Sequence, residues 1–347
     1  MRSLARRFPL AFYYAVALML ASAVMAAYGA LLATDPDRAS LLTTMFQWLA
    51  RHQLYATALN IARFAWSTGS WSSLLILVFA VAPSVAACLT VMLRDGRPGI
   101  RGWAARLRPV GPDVPVAQAI RAYVVLAVVY GVGLTWHLWL TMRYASPAAF
   151  SEVWHTMGGS LPAVLALAVA GPFLDEGGLL EEMGWRGFAL PLCQQRMSGL
   201  TAAIVVGLLW YAWHLPREIP TLLGRTSLPS WLAGQAVFAL LTVSLSVAIA
   251  YFVNRTGGSV LPGIILHGGT NVWSKAASAQ ASEMFHTDMR TWITVALAVV
   301  ILGAAGRGLG RPGGGARGGR GAPPGASHAR NESPADGGRP GGTQASP

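Results

Sequence analysis

The sequence predicts an all-α polytopic membrane protein of about eight transmembrane helices built around a polar site at membrane depth. Three observations carry this. Over 347 residues, 54% are hydrophobic and only 12% charged, with a mean hydropathy of +0.47, far more apolar than one soluble core requires. The apolar residues gather into about eight stretches approaching the roughly 20 residues that span a bilayer. Within those stretches lie a few carboxylates, histidines and amides, which are expensive at that depth.

The stretches fall near residues 12–32, 71–93, 120–142, 157–180, 197–214, 231–253, 260–273 and 292–305. The first follows Arg2, Arg6 and Arg7 and resembles a signal peptide. It is longer than a signal core, however, and more spans follow, so it reads as an uncleaved anchor. Between Ala39 and Ser67, Leu42, Met45, Leu49, Leu54 and Leu59 recur at roughly helical spacing, as in an amphipathic helix or loop on the outer face. The basic segment from Arg94 to Arg121 reads as a solvated loop that sets topology. The seventh stretch is short, and the fourth ends in carboxylates.

A net charge of +12 would suggest nucleic acid in a soluble protein, but here the arginines are placed by topology, and no nucleic-acid partner is expected. An even number of spans with basic segments at both ends predicts both termini in the cytoplasm. Cys88 and Cys193 have neither the number nor the spacing of a disulfide framework or a thiolate metal site. No internal repeat is visible. The expected organisation is a membrane domain over 1–308, its polar motifs within about 157–276. A Gly/Pro/Arg-rich tail over 309–347 lacks the apolar periodicity to fold and is expected to be a disordered cytoplasmic segment.

Asp175, Glu176, Glu181 and Glu182 fall together at the end of the fourth stretch, in the run GLLEEMGWRGFALP. Glu182 and Arg186 are i,i+4 on a helix and can form an ion pair, while Glu181 points about 100° away, so the adjacent glutamates need different roles. His214 lies in LLWYAWHLP and His267 in GIILHGGTNVW. His267 and Asn271 are again i,i+4, separated by Gly268, Gly269 and Thr270, a strip small enough for another backbone or a substrate to approach. Taken singly, a glutamate pair can cap a span, His214 can finish a helix before Pro216, and His267 with Asn271 can clamp two helices. Together they place an unpaired carboxylate, two histidines and an amide in apolar helices.

The trio EEMGWR (Glu181, Glu182, Arg186), WYAWH (Trp210, His214) and HGGTN (His267, Asn271) resembles the three motifs of the CPBP family, the CAAX-protease and bacteriocin-processing (Abi) intramembrane peptidases. Order and spacing agree over roughly residues 174–274. Trp210 stands where phenylalanine is commoner, which keeps the aromatic character. The resemblance implies an integral membrane protein, placed here in a bacterial plasma membrane, whose active site hydrolyses a membrane-associated peptide or protein substrate. It implies Glu181 as the general base, His214 sharing its water, and His267 with Asn271 as oxyanion donors, with Glu182 and Arg186 in structural support. No cofactor is favoured. A zinc alternative would use His214, His267 and Glu181 or Glu182 in a metalloprotease. A proton-coupled transporter, or a catalytically silent scaffold or immunity-like protein, would use the same intramembrane groups without cleaving a bond.

One difficulty is visible at this level. If the fourth span ends at the carboxylates and the fifth ends at His214, straight helices put Glu181 and His214 near opposite membrane faces. The motif helix must then continue into the bilayer, or the spans must be tilted and broken.

Overall fold

The computed structural model describes residues 1–34, 41–52, 54–144, 151, 154–155, 157–223, 227–277 and 283–311. Among these, 87% are helical and none forms a strand. The helices are α1 (Arg2–Arg7), α2 (Pro9–Thr34), α3 (Leu41–Arg51), α4 (Ala58–Thr68), α5 (Leu75–Ala104), α6 (Val116–Tyr144), α7 (Leu161–Leu174), α8 (Glu176–Gly184), α9 (Leu190–Gln194), α10 (Gly199–Leu223), α11 (Leu228–Arg255), α12 (Leu261–Ala277) and α13 (Glu283–Ala305). The protein is thus an all-α polytopic membrane protein.

Seven helical stretches among the described residues are long and apolar enough to cross a bilayer. The eighth expected crossing is α12, whose 17 residues would rise only about 25 Å against a hydrocarbon core of about 30 Å. It nevertheless completes an even number of passes, because both ends of the bundle path arrive at one end. There Arg6 donates to the Arg94 carbonyl and Arg106 to that of Gly258. Asn254 donates to the Leu309 carbonyl, and Arg311 to that of Met197. The basic segments are therefore neighbours, as a single topogenic face requires.

One local expectation changes, and a second holds except at one residue. The basic segment after the second span is helical through Ala104, not an extended loop, with a break where Gly96 adopts φ 67° just before Pro98. A left-handed residue cannot continue a right-handed helix, and glycine adopts it without a Cβ penalty. Between the first two spans there are two short helices. Met45, Leu49, Ile61 and Phe64 form a buried cluster with Tyr28 and Ile76, whereas Leu59 is exposed. At the other end of the chain, Leu309 is buried, and the tail beyond Arg311 lies outside the described residues.

The fourth span positions the site. Ser160 caps α7 by accepting from the Ala163 amide at 3.4 Å, and Asp175 ends that helix and caps α8 by accepting from the Gly178 amide at 2.8 Å. Residues Trp185–Ala189 form a π turn leading into α9, so the span runs past Glu181 to Gln194. Such one-turn π insertions re-aim side chains within a helix. Tyr13, Trp185, Phe188 and Trp213 pack around this turn, with centroids 5.7 Å apart for Tyr13 and Trp185 and 6.0 Å for Trp185 and Trp213. α7 and α8 both lie on α12, where a Cβ on Gly178 would overlap the Gly268 backbone and one on Gly268 would overlap Pro172. The small-residue strip does admit a neighbouring backbone.

Candidate active site

Glu182 and Arg186 are both fully buried, and Arg186 Nη1 donates to Glu182 Oε1 at 2.7 Å. The i,i+4 spacing makes this contact local to the helix. The same oxygen accepts from His267 Nδ1 at 2.9 Å, which no spacing within one helix foreshadows. The Arg186 guanidinium also stands 4.6 Å from the centroid of the Trp210 ring, a cation–π contact inside an apolar bundle. Among the described residues, Glu182 Oε2 and Arg186 Nε and Nη2 find no hydrogen-bond partner, so this pair carries a high desolvation cost and rests on a few close contacts.

Glu181 projects elsewhere. Among the described residues it makes no ion pair but is not unpartnered: its Oε2 accepts the indole N–H of Trp210 at 2.8 Å and that of Trp185 at 3.3 Å. Because the span continues beyond Glu181, this carboxylate meets α10 one turn before His214, and the expected separation of the two motifs disappears. Trp210 thus contributes more than aromatic character, since a phenylalanine has no N–H to give.

His214 is buried among Trp213, at 4.6 Å between ring centroids, and Phe238, at 5.2 Å. Its Nδ1 lies 2.9 Å from the Trp210 carbonyl. A carbonyl only accepts, so Nδ1 carries the proton and, in the neutral ring, Nε2 is the basic nitrogen. His267 is held in the same way by Glu182, and its ring meets Trp210 edge-to-face at 4.6 Å. A Cβ at Gly177 would come within 2.9 Å of His267 Nε2 and 2.8 Å of Asn271 Nδ2. These two groups of α12 therefore converge over the first turn of α8, in space that only glycine leaves open.

Asn271 is fixed by two residues not assigned roles from the sequence. Its Nδ2 donates to Asp175 Oδ1 at 3.0 Å, and its Oδ1 accepts from Arg290 Nη1 at 3.1 Å. Asp175 stood in the acidic cluster, but its position at the break between α7 and α8 was not legible. Arg290 lies just before the last apolar stretch, and nothing in its spacing points to a partner on another helix. Tyr55, from the segment before α4, donates to the Val272 carbonyl at 2.7 Å. Burial pushes the Tyr55 phenol well above its ordinary pKa, so it remains a donor there.

Among the described residues, no three His, Cys, Asp or Glu side chains are gathered as a metal ion requires. Each imidazole is held through Nδ1, His267 by Glu182 and His214 by the Trp210 carbonyl, which leaves Nε2 as the open nitrogen of both rings.

Residues 158–273, which contain all three motifs, match the Rce1-like family model, described as type II CAAX prenyl endopeptidase Rce1-like. The match covers about a third of the chain and supports its resemblance to the CPBP family. A curated relative, CAAX prenyl protease 2 of Methanococcus maripaludis, is 38% identical over 56 residues, covering 16% of this chain and 18% of the relative. The aligned part is thus under a fifth of that relative's length. The matched segment includes Asp175, Glu181, Glu182, Arg186, His214, His267 and Asn271, while Tyr55 and Arg290 reach it from outside the match.

Proposed function

We propose that the chain is a CAAX-type intramembrane endopeptidase that hydrolyses a peptide bond in a membrane-associated peptide or protein. A prenylated peptide is the substrate class named by the matched family's description. One observation carries the reading: the adjacent glutamates reach the two other motif helices in different directions, Glu181 to Trp210 of α10 and Glu182 to His267 of α12. Three weak motifs thereby become one buried constellation, the arrangement that water activation and oxyanion stabilisation both need.

In this reading Glu181 takes the proton of the attacking water, and His214, through Nε2, shares that water and helps pass its proton to the leaving amine. Asn271 Nδ2 has two protons, one directed to Asp175, and it donates the other toward the forming oxyanion beside His267 Nε2. For His267 to donate there while Nδ1 donates to Glu182, the ring must carry both protons. The Glu182–Arg186 pair holds this ring and the π turn in place. In this reading the end of the bundle where the basic segments meet, and with it both termini, faces the cytoplasm, the side that basic connecting segments favour.

The test is reconstitution of the purified protein in lipid nanodiscs with prenylated and unprenylated peptides, reading products by mass spectrometry. Cleavage that disappears in a folded Glu181→Gln variant is expected. Ion flux through liposomes that depends on Glu181, without any cleaved product, would instead make the protein a transporter. Impermeant labelling of single cysteines near Arg6 and Arg307 checks the orientation.

A further inference from the structure

Trp210 holds two of the proposed reacting groups at once. Its side-chain N–H donates to Glu181 Oε2 at 2.8 Å, and its backbone carbonyl accepts from His214 Nδ1 at 2.9 Å. Any residue at position 210 can supply the carbonyl. Only the indole supplies the first bond.

A buried indole N–H needs some acceptor, so one such bond alone would be ordinary. Here a second indole reaches the same atom, since Trp185 Nε1 lies 3.3 Å from Glu181 Oε2 and neither indole bonds Oε1. A carboxylate rotates readily about its last bond, with two nearly equivalent orientations. Two N–H donors from different helices on one oxygen remove that equivalence. The Trp210 ring is itself held at 4.6 Å from the Arg186 guanidinium and 4.6 Å from the His267 ring, and Trp185 is fully buried. The donors are therefore set before any substrate arrives, which is what preorganisation requires.

We infer that Trp210, assisted by Trp185, is a positioning residue that clamps Glu181 through Oε2 and leaves Oε1 as the oxygen that receives the proton of the attacking water. The same residue fixes His214, so the relative placement of base and imidazole is set from one point of α10. This inference rests on the proposed peptidase reading and adds to it which atom acts and what orients it.

The experiment compares Trp210→Phe and Trp185→Phe with the wild-type chain in nanodiscs, measuring kcat, KM and thermal stability. Trp210→Phe keeps an aromatic ring against Arg186 and His267 but removes the N–H. Its kcat should fall about tenfold or more, with KM within about twofold, the scale of losing a hydrogen bond to a charged group. Trp185→Phe, at the longer distance, should lose less. Should Trp210→Phe not fold, a benzothienyl-alanine at position 210, with the indole shape and no N–H, must reproduce the fall in kcat. A kcat within twofold of wild type in the folded Trp210 variant, alongside an inactive Glu181→Gln control, overturns this inference and leaves the peptidase reading standing. A folded wild-type chain that cleaves none of the peptides overturns the peptidase reading, and the positioning role with it.

Discussion

His267 Nδ1 lies 2.9 Å from Glu182 Oε1, the same oxygen that accepts from Arg186 at 2.7 Å. One carboxylate oxygen thereby joins the motif helix to the helix that carries the proposed oxyanion donors. Removing it should damage architecture and activity together. Glu182→Ala would strand a fully buried guanidinium and free the His267 ring, at a cost of about 3–5 kcal/mol for breaking a buried pair. The expected result is a clearly lowered Tm in detergent with loss of turnover. An unchanged Tm would show that the pair contributes nothing to the fold.

Glu181→Gln should behave in the opposite way. The amide oxygen can still accept from Trp210 and Trp185, so folding and Tm should be close to wild type, whereas an amide cannot take the proton of water at neutral pH. Turnover should fall to near background. Wild-type turnover by this variant would falsify the role of Glu181 as base.

At Asn271, the alanine variant should lower kcat about a hundredfold, the scale of losing one oxyanion donor, with little change in KM. Asn271→Asp should be at least as damaging, because it would set a second carboxylate where Nδ2 now stands 3.0 Å from Asp175 and would repel the forming oxyanion. Both are to be measured in metal-buffered solution with and without a strong chelator. An active, chelator-sensitive Asn271→Asp protein would move His214 and His267 into a metal site.

Gly177→Ala tests the convergence over α8 directly. A methyl there would press on His267 Nε2 and Asn271 Nδ2, and a displacement of this kind near reacting groups can cost about a hundredfold in rate. The expected result is a loss of that order in kcat/KM. Gly303→Ala, which meets nothing within 4 Å, should leave activity unchanged. Equal activities for the two variants would count against the site lying over Gly177.

The membrane class, the approximate spans and the Glu182–Arg186 contact were legible in the sequence because each depends on local quantities. Apolar length decides whether a segment can lie in lipid, and helical periodicity brings residue i to residue i+4. The same reasoning set Glu181 on another helix face from Glu182. Local quantities also explain where the reading stopped short. The break at Gly96 needs a φ value, and the extension of the fourth span to Gln194 needs the π turn at Trp185–Ala189.

Which groups meet across helices was decided only by the tertiary structure. Nothing in the spacing of Trp210, Glu181, Asp175, Asn271 and Arg290 states that the indole reaches one carboxylate and that Asn271 lies between another carboxylate and an arginine. These contacts follow from how α7, α8 and α12 approach through Gly178 and Gly268, and from where α10 and α13 close around them. In a bilayer, many pairings of apolar helices bury similar surface, since lipid is as apolar as a leucine side chain. The choice among those pairings falls to close backbone approach and to a few buried hydrogen bonds, whose partners are far apart in the chain and adjacent only once the bundle has formed.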